Sequence, residues 1–208
     1  KNYKLIVKQI KKYKPEIFII KDKKIFEKIA KKYKKNKIKI INNFDLKKIK
    51  KNSSTTVLAI PGIAGLEPTL KMAERSNRIL LANKESIICG WELIKKKSKK
   101  HNTILVPIDS EHFSIFKLLE KEKRSAVKKI FITASGGPFL NYSPSKMKKI
   151  KPYQALKHPK WKMGKKITID SSTLMNKIFE LVEAQNYLIY LQKKLTLLSI
   201  LIPWFMQF

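Results

Sequence analysis

The sequence predicts an α/β fold with a parallel sheet, and three observations carry that prediction. Amphipathic helix patterns alternate with short apolar runs through the first half of the chain. Three of those runs end in polar clusters, at Pro61-Gly62, Ala82–Ser86 and Asp109–His112, and open α/β sheets collect ligands at the carboxyl ends of their strands. A hydrophobic content of 43% in 208 residues is ample for a buried core.

KLIVKQIKKYK has the spacing of an amphipathic helix, EIFIIKD that of a short buried strand closed by Asp22, and KKIFEKIAKKYKK that of a second helix. TTVLAIPG follows as a strand ending in a Pro-Gly turn, then GLEPTLKMAERS as a helix and RILLANKES as a strand with a polar end. IICGWELIKKKSKK reads as a helix and TILVPIDSEH as another strand. From about Phe116 the rhythm changes and a second unit is expected. KKIFITASGGPF reads as a strand and glycine loop, and the stretch from Tyr142 to Gly164 has a weaker period. KKITIDSS reads as a strand leading into the helix STLMNKIFELVEAQNYL, with Ser171 or Ser172 as its N-cap.

A formal charge of +32, from 47 Lys and Arg against 15 Asp and Glu, raises nucleic-acid binding as one reading. The lysines, however, are spread among Ile and Asn in runs such as KKYKKNKIKIINN, residues with AT-rich codons, so genome drift is favoured and each run reads as a solvated helix face. The single cysteine, Cys89, excludes an internal disulfide framework and suits a reducing compartment. The longest apolar run, LTLLSILIPWFMQF, is too short to span a bilayer and contains a proline, so no membrane partner is expected. No signal or transit peptide is visible, and the chain begins with Lys1 where a Met would be expected.

Acids being scarce, their placement is informative. On an extended segment Asp109 and Glu111 project to one side and can share a cation, with oxygen donors suiting Mg²⁺ or Mn²⁺ better than zinc. A surface pair in a strand-to-helix turn, with Glu111 favoured by the helix dipole, is the simpler reading. The SGGP turn from Ser135 offers a hydroxyl and backbone N–H groups of the kind that cradle phosphate, although most such turns are only tight loops. Asn176 and Glu180 share a helix face beside Lys177, and could serve phosphate and metal or simply be a solvated helix start. His158 and Trp161 lie in an aperiodic segment that could be a lid or could cover apolar surface.

Taken in order, LANKES, PIDSEH, TASGGPF and ALKHPKWKMGKKITIDSSTLMNK resemble the 1-deoxy-D-xylulose 5-phosphate reductoisomerase family, NADPH-dependent enzymes of non-mevalonate isoprenoid synthesis. The resemblance runs from Lys1 to about Leu188. It implies a truncated Rossmann-like NADPH-binding domain over residues 1–108, a partial α/β catalytic domain over 109–188 and an atypical tail over 189–208. By resemblance Asp109, Glu111 and Glu180 hold Mg²⁺ or Mn²⁺, and Ser110 and Lys84 contact the substrate beside the metal. Ser135, Ser171, Asn176 and Lys177 bind its phosphate, His158 reaches it from the lid and Trp161 closes over its carbon backbone. Lys84, Glu111 and His158 are the implied catalytic residues. Asn83, Glu85 and Gly164 match cofactor contacts, and Lys1 and Asn2 match the segment that receives the NADPH ribose phosphate.

In the reaction so implied, the metal-chelated sugar phosphate rearranges its carbon skeleton to a branched aldehyde, and NADPH reduces that to 2-C-methyl-D-erythritol 4-phosphate. The family is homodimeric, and a bacterial cytoplasm is expected, with a plastid as the other possibility.

Departures from the family pattern generate expectations of their own. The family's GxTGxxG phosphate loop does not occur in the chain, so NADPH binding by these 208 residues is expected to be very weak. Ile178 and Phe179 replace the family's glycine and leucine, and the branched side chain is expected to crowd a phosphate site. KKLTLLSILIPWFMQF stands where a motif like IHPxSxxH belongs; back-translated with AT-leaning codons and read from the third base it gives KINIIIHPNSMVHAI, which predicts a frameshift near Leu188. Little or no activity is expected of this polypeptide alone. A basic nucleic-acid-binding protein and a non-catalytic remnant are the alternative readings.

Overall fold

The structure, a computed structural model, describes residues 2–45, 53–134, 137–156, 164–187 and, as backbone, 195–199. The chain divides into two compact units, Lys1–Ser53 and Ser54–Phe208.

In the first unit, α1 (Tyr3–Tyr13), β1 (Ile17–Ile19), α2 (Lys23–Lys32) and β2 (Lys39–Ile41) follow in order. Asn2 caps α1, its Oδ1 accepting from Leu5 N at 3.0 Å, and Asp22 caps α2 by accepting from Ile25 N at 3.1 Å. The two strands pair in parallel, Ile17 opposite Lys39 and Ile19 opposite Ile41. Ile10, Ile20, Ile29 and Tyr33 form the buried core, flanked by Ile6, Val7, Phe18, Ile25, Phe26, Ile38 and Ile40. Lys4, Lys8, Lys11 and Lys12 on α1 and Lys23, Lys24, Lys28, Lys31 and Lys32 on α2 are exposed, as solvated faces are. No strand is expected from the sequence at β2. Three residues embedded in a lysine run give too short a period to register, and Ile38 and Ile40 reveal it only by packing on the core.

The second unit contains β3 (Ser53–Leu58, from the last residue of the first unit), α3 (Leu66–Met72), β4 (Ser76–Leu81), α4 (Lys84–Lys100), β5 (Ile104–Pro107) and α5 (Ser110–Leu119). It continues with β6 (Ile130–Ala134), α6 (Pro144–Met147), α7 (Pro152–Ala155), α8 (Lys165–Ser172), α9 (Met175–Tyr187) and β7 (Leu195–Ser199). One sheet has the order β3-β4-β5, with β4 and β5 parallel from Arg78 opposite Ile104 to Leu81 opposite Pro107. A second pairs β6 and β7 in parallel, Ile130 opposite Leu195 through Ala134 opposite Ser199. The expected α/β class with parallel strands is therefore present.

Ile79 and Leu81 of β4 and Ile87 and Ile94 of α4 are fully buried. Gly90 kinks α4 with φ −140° and ψ 20°, and a Cβ there would overlap the Leu66 side chain, so the absence of a side chain lets Leu66 of α3 close on α4. Ala82 N donates to Leu58 O at 3.0 Å and Ile108 N donates to Leu81 O at 2.9 Å. The three strands thus end level, which places the polar clusters after them along one edge of the sheet.

Three expectations are corrected. KKITIDSS is the helix α8, because its buried positions are Thr168 and Ser172, four apart, while Ile167 and Ile169 are each 44% exposed. Thr168 Oγ1 donates to Gly164 O at 3.0 Å, which satisfies the buried hydroxyl inside the helix. Ser171 and Ser172 consequently end α8 and do not cap α9; Leu174, at φ 59°, makes the junction. Finally, the polar ends of RILLANKES and TILVPIDSEH are not strand: Lys84 begins α4 and Ser110 begins α5. Among the described residues no helix is long and apolar enough to cross a membrane.

Candidate active site

Two N-caps and one helix face build the site. Asn83 caps α4, its Oδ1 accepting from Ser86 N at 2.6 Å, while Nδ2 donates to Gly62 O at 2.9 Å and to Ile60 O. That side chain ties the Pro-Gly turn after β3 to the start of α4 and sets Lys84 in the first turn. Asp109 caps α5 in the same manner, its Oδ1 accepting from His112 N at 3.3 Å, so Ser110 and Glu111 occupy that helix's first turn. From α9, Asn176, Lys177, Glu180 and Glu183 face these two helix starts.

Asp109 and Glu111 are therefore not on an extended segment. The cap position turns Asp109 one way and the helical position turns Glu111 another. Glu111 Oε1 accepts from Lys177 Nζ at 2.5 Å and its Oε2 from Ser110 Oγ at 2.6 Å. Lys177 Nζ also donates to Glu180 Oε2 at 2.7 Å. Glu180 Oε1 accepts from Lys84 Nζ at 3.0 Å and from Asn176 Nδ2 at 2.5 Å, and Lys84 Nζ donates further to Asn176 Oδ1 at 3.1 Å. Five of the expected residues, Lys84, Glu111, Asn176, Lys177 and Glu180, with Ser110 attached, thus form one continuous polar network. Glu180 is 2% exposed, so its charge is supported by these donors and not by water.

The electrostatics follow from that geometry. Burial pushes the Glu111 carboxyl up, but the Lys177 ammonium and the Ser110 hydroxyl outweigh it and hold the group down at about 2. Burial depresses Lys177, and the charges of Glu180 and Glu111 more than restore it, so its ammonium holds its proton above the usual lysine range.

Asp109 faces a second set of partners. His112 Nδ1 donates to Asp109 Oδ1 at 2.7 Å and Oδ2 at 2.8 Å, its Nε2 donates to the backbone oxygen of Glu180 at 2.8 Å, and Glu183 Oε2 stands 3.5 Å from Nδ1. Asp109, His112 and Glu183 offer ligand atoms within 4.8 Å of one another. Sequence reasoning missed His112 and Glu183. The signals were present: His112 directly follows Glu111, and Glu183 lies three residues after Glu180 on the same face of α9.

The other expected residues divide by location. Gly137, at φ 68°, lies so close to α8 that a Cβ would come within 2.7 Å of Ser171 O, so its backbone backs directly onto Ser171. Glu85 pairs with Lys166 Nζ at 3.2 Å, which joins the start of α4 to the start of α8; Gly164 caps α8 with nothing among the described residues within 4 Å of where a Cβ would stand. Asn2 is engaged as the cap of α1. Lys1, Ser135, His158 and Trp161 lie outside the described residues. Ile178 is 47% exposed and points its branched side chain outward, while the Lys166 ammonium lies 5.4 Å from the centroid of the Phe179 ring.

Two family models match this chain: 1-deoxy-D-xylulose 5-phosphate reductoisomerase over residues 1–90, and the 1-deoxy-D-xylulose 5-phosphate reductoisomerase C-terminal domain over residues 105–188. The chain belongs to the 1-deoxy-D-xylulose 5-phosphate reductoisomerase family. It is 50% identical over 190 residues to the reductoisomerase of Pelagibacter ubique (strain HTCC1062), a match that covers 89% of this chain and 49% of that protein. With the reductoisomerase of Clostridium botulinum (strain Loch Maree / Type A3) it shares 41% identity over 193 residues, covering 88% and 49%. Among solved structures, the Zymomonas mobilis reductoisomerase in complex with NADPH superposes with a TM-score of 0.83 at 31% identity, covering 96% of this chain and 52% of that one. A reductoisomerase in complex with NADPH, fosmidomycin and magnesium gives a TM-score of 0.80 at 31% identity, covering 95% and 52%. The chain spans about half the length of the curated reductoisomerases that it matches.

Proposed function

We propose that the site around Glu180 serves the conversion of 1-deoxy-D-xylulose 5-phosphate to 2-C-methyl-D-erythritol 4-phosphate with NADPH. The observation that carries this reading is one ammonium, that of Lys177, held between Glu111 and Glu180 at 2.5 and 2.7 Å. A position that holds a cation between two carboxylates, with a third carboxylate, Asp109, two residues from the first, fits a hard divalent ion by its donor set. Asp109, Glu111 and Glu180 would hold Mg²⁺ or Mn²⁺. When bound, the ion supplies Lewis-acid polarisation of the substrate ketone. For NADPH, which would supply hydride when bound, α8 begins after Gly164 with no side chain among the described residues capping its first N–H groups. Asn83, Glu85 and Gly164, with Lys1 and Asn2, would contact it.

The chain's own residues would do the rest. Lys84 and Ser110 bind and orient the substrate's oxygens beside the acids. Ser171, backed by the Gly137 turn, joins Ser135, Asn176 and Lys177 in anchoring the phosphate, which keeps both ends of a breaking carbon skeleton in place. His158 would contact substrate and Trp161 would exclude water from it. In this reading residues 1–108 serve the nucleotide and 109–188 the chemistry, and the working form is the family's cytoplasmic homodimer.

Calorimetric titration of the 208-residue chain with 1-deoxy-D-xylulose 5-phosphate, with and without Mn²⁺, tests the proposal. Metal-dependent binding that Glu180→Gln abolishes is expected. Binding that ignores both metal and Glu180 would overturn it.

A further inference from the structure

We propose that the Lys177 ammonium and the divalent ion compete for one place between Glu111 and Glu180, so that binding of the ion releases Lys177 to the substrate's phosphate; the inference rests on the metal and phosphate reading above. The four oxygens of the two carboxylates divide into two kinds. Glu111 Oε2 accepts from Ser110 Oγ at 2.6 Å, and Glu180 Oε1 accepts from Lys84 Nζ at 3.0 Å and from Asn176 Nδ2 at 2.5 Å. The other oxygen of each, Glu111 Oε1 and Glu180 Oε2, accepts from Lys177 Nζ at 2.5 and 2.7 Å. One ammonium thus spans α5 and α9 through the two oxygens that a cation shared by these acids would use. Mg²⁺ lies about 2.0–2.1 Å from its ligand oxygens, so an ion on the same pair would stand within about 5 Å of Nζ. Glu180 is 2% exposed and the Lys177 side chain 13%, so little water screens two cations that close. Ion and ammonium therefore exclude each other from the pair.

Lysine suits such an exchange. Its charge is a compact point on a flexible four-carbon stem, so Nζ can swing while the backbone of α9 stays in place. Released from both carboxylates, a cation with this little exposure needs another anion. Its neighbours indicate which. Asn176 precedes it in the first turn of α9, and Lys84 Nζ lies 3.1 Å from Asn176 Oδ1. Two ammonium groups and an amide complement the phosphate assigned above to Asn176 and Lys177. Because Lys177 cannot hold the carboxylates and the phosphate together, the phosphate is gripped fully only after the carboxylates have let go. Linkage makes the effect mutual: the factor by which the ion tightens phosphate is the factor by which phosphate tightens the ion, typically about 5–150-fold.

The test uses inorganic phosphate and Mn²⁺ on the 208-residue chain without substrate or NADPH, with Mn²⁺ affinity read by electron paramagnetic resonance, phosphate affinity by calorimetry and the fold of each variant by circular dichroism. In the wild type, saturating Mn²⁺ is expected to tighten phosphate about 5–150-fold. Lys177→Met should bind Mn²⁺ at least about 5-fold more tightly than the wild type, and should bind phosphate weakly whether or not Mn²⁺ is present. Lys84→Met removes an equal charge from the other oxygen of Glu180. It should gain less for Mn²⁺ and keep the coupling. Wild-type phosphate binding that ignores Mn²⁺, absent binding included, overturns the exchange, as does coupling that survives in Lys177→Met or an equal Mn²⁺ gain in both variants. Phosphorus coupling of a directly coordinated phosphate in the pulsed spectrum overturns it too, since the ion would then hold the phosphate without Lys177. In each of these cases loss of Mn²⁺ binding in Glu180→Gln leaves the metal reading intact. If the wild type binds no Mn²⁺, both readings fall together. Should Lys177→Met not fold, Lys177→Gln carries the same comparison, and the wild-type coupling needs no variant.

Discussion

Lys177 and Glu111 meet across 66 residues of chain, Nζ to Oε1 at 2.5 Å, and that contact joins the first turn of α5 to the first turn of α9. Its energetic sign is definite. The Glu111 carboxyl titrates near 4.5 when free and near 2 in the folded chain, so the pairing stabilises fully above about pH 4.5 and is lost as the pH falls toward 2. Urea unfolding across that window should show a loss on the order of 2 kcal/mol. Glu111→Gln should flatten that slope, and an unchanged slope in the variant would contradict the assignment.

Lys177→Met should be among the more damaging single changes. It strips the cation from buried Glu180 and half-buried Glu111, and breaking a buried pair costs about 3–5 kcal/mol. A divalent ion can replace the missing charge. Scanning fluorimetry should therefore show Mg²⁺ raising the melting temperature more in Lys177→Met than in the wild type.

Gly137→Ala adds a methyl group at φ 68° and within 2.7 Å of Ser171 O. The left-handed backbone alone costs about 1–2 kcal/mol, and relief of the clash must move either the turn or the end of α8. Thermal melting should fall by several degrees. Calorimetric binding of inorganic phosphate should weaken in step if this turn helps to shape the anchor.

Asn83→Ala removes both a helix cap and the tether to the Pro-Gly turn, with an expected loss of about 1–2 kcal/mol by denaturant unfolding. Asn83→Ser keeps an acceptor for Ser86 N but cannot reach Ile60 and Gly62. It should recover only part of the loss.

Most of the fold's rhythm was legible because the helices are amphipathic and the strand ends carry polar clusters. The failures have a common physical source. In KKITIDSS two isoleucines alternate with polar residues, which mimics a strand, but burial of Thr168 with its hydroxyl turned back onto Gly164 makes a helix work there. Of the two geometries offered for Asp109 and Glu111, the strand-to-helix turn with Glu111 beside the helix dipole is the one present, and the extended pair is not. Glu180 and Lys84 were legible through motif order. Their direct contact was not, since sequence spacing says nothing about partners 96 residues apart. Glu183 and His112 were passed over although spacing marked both: His112 directly follows Glu111, and Glu183 lies one helical turn beyond Glu180.

The gathering of acids on α5 and α9 has a kinetic corollary. Asp109, Glu111, Glu180 and Glu183 converge on Lys84, Lys177 and His112, so acidic side chains outnumber basic ones at the site while the chain as a whole carries +32. A divalent ion approaching from solvent meets repulsion at long range and attraction only in the last few ångströms. Added salt screens the first far more than the second, because exposed lysines feel the ionic atmosphere and buried acids do not. Metal should consequently arrive faster as ionic strength rises, the reverse of what a site of four acids would do on an acidic protein.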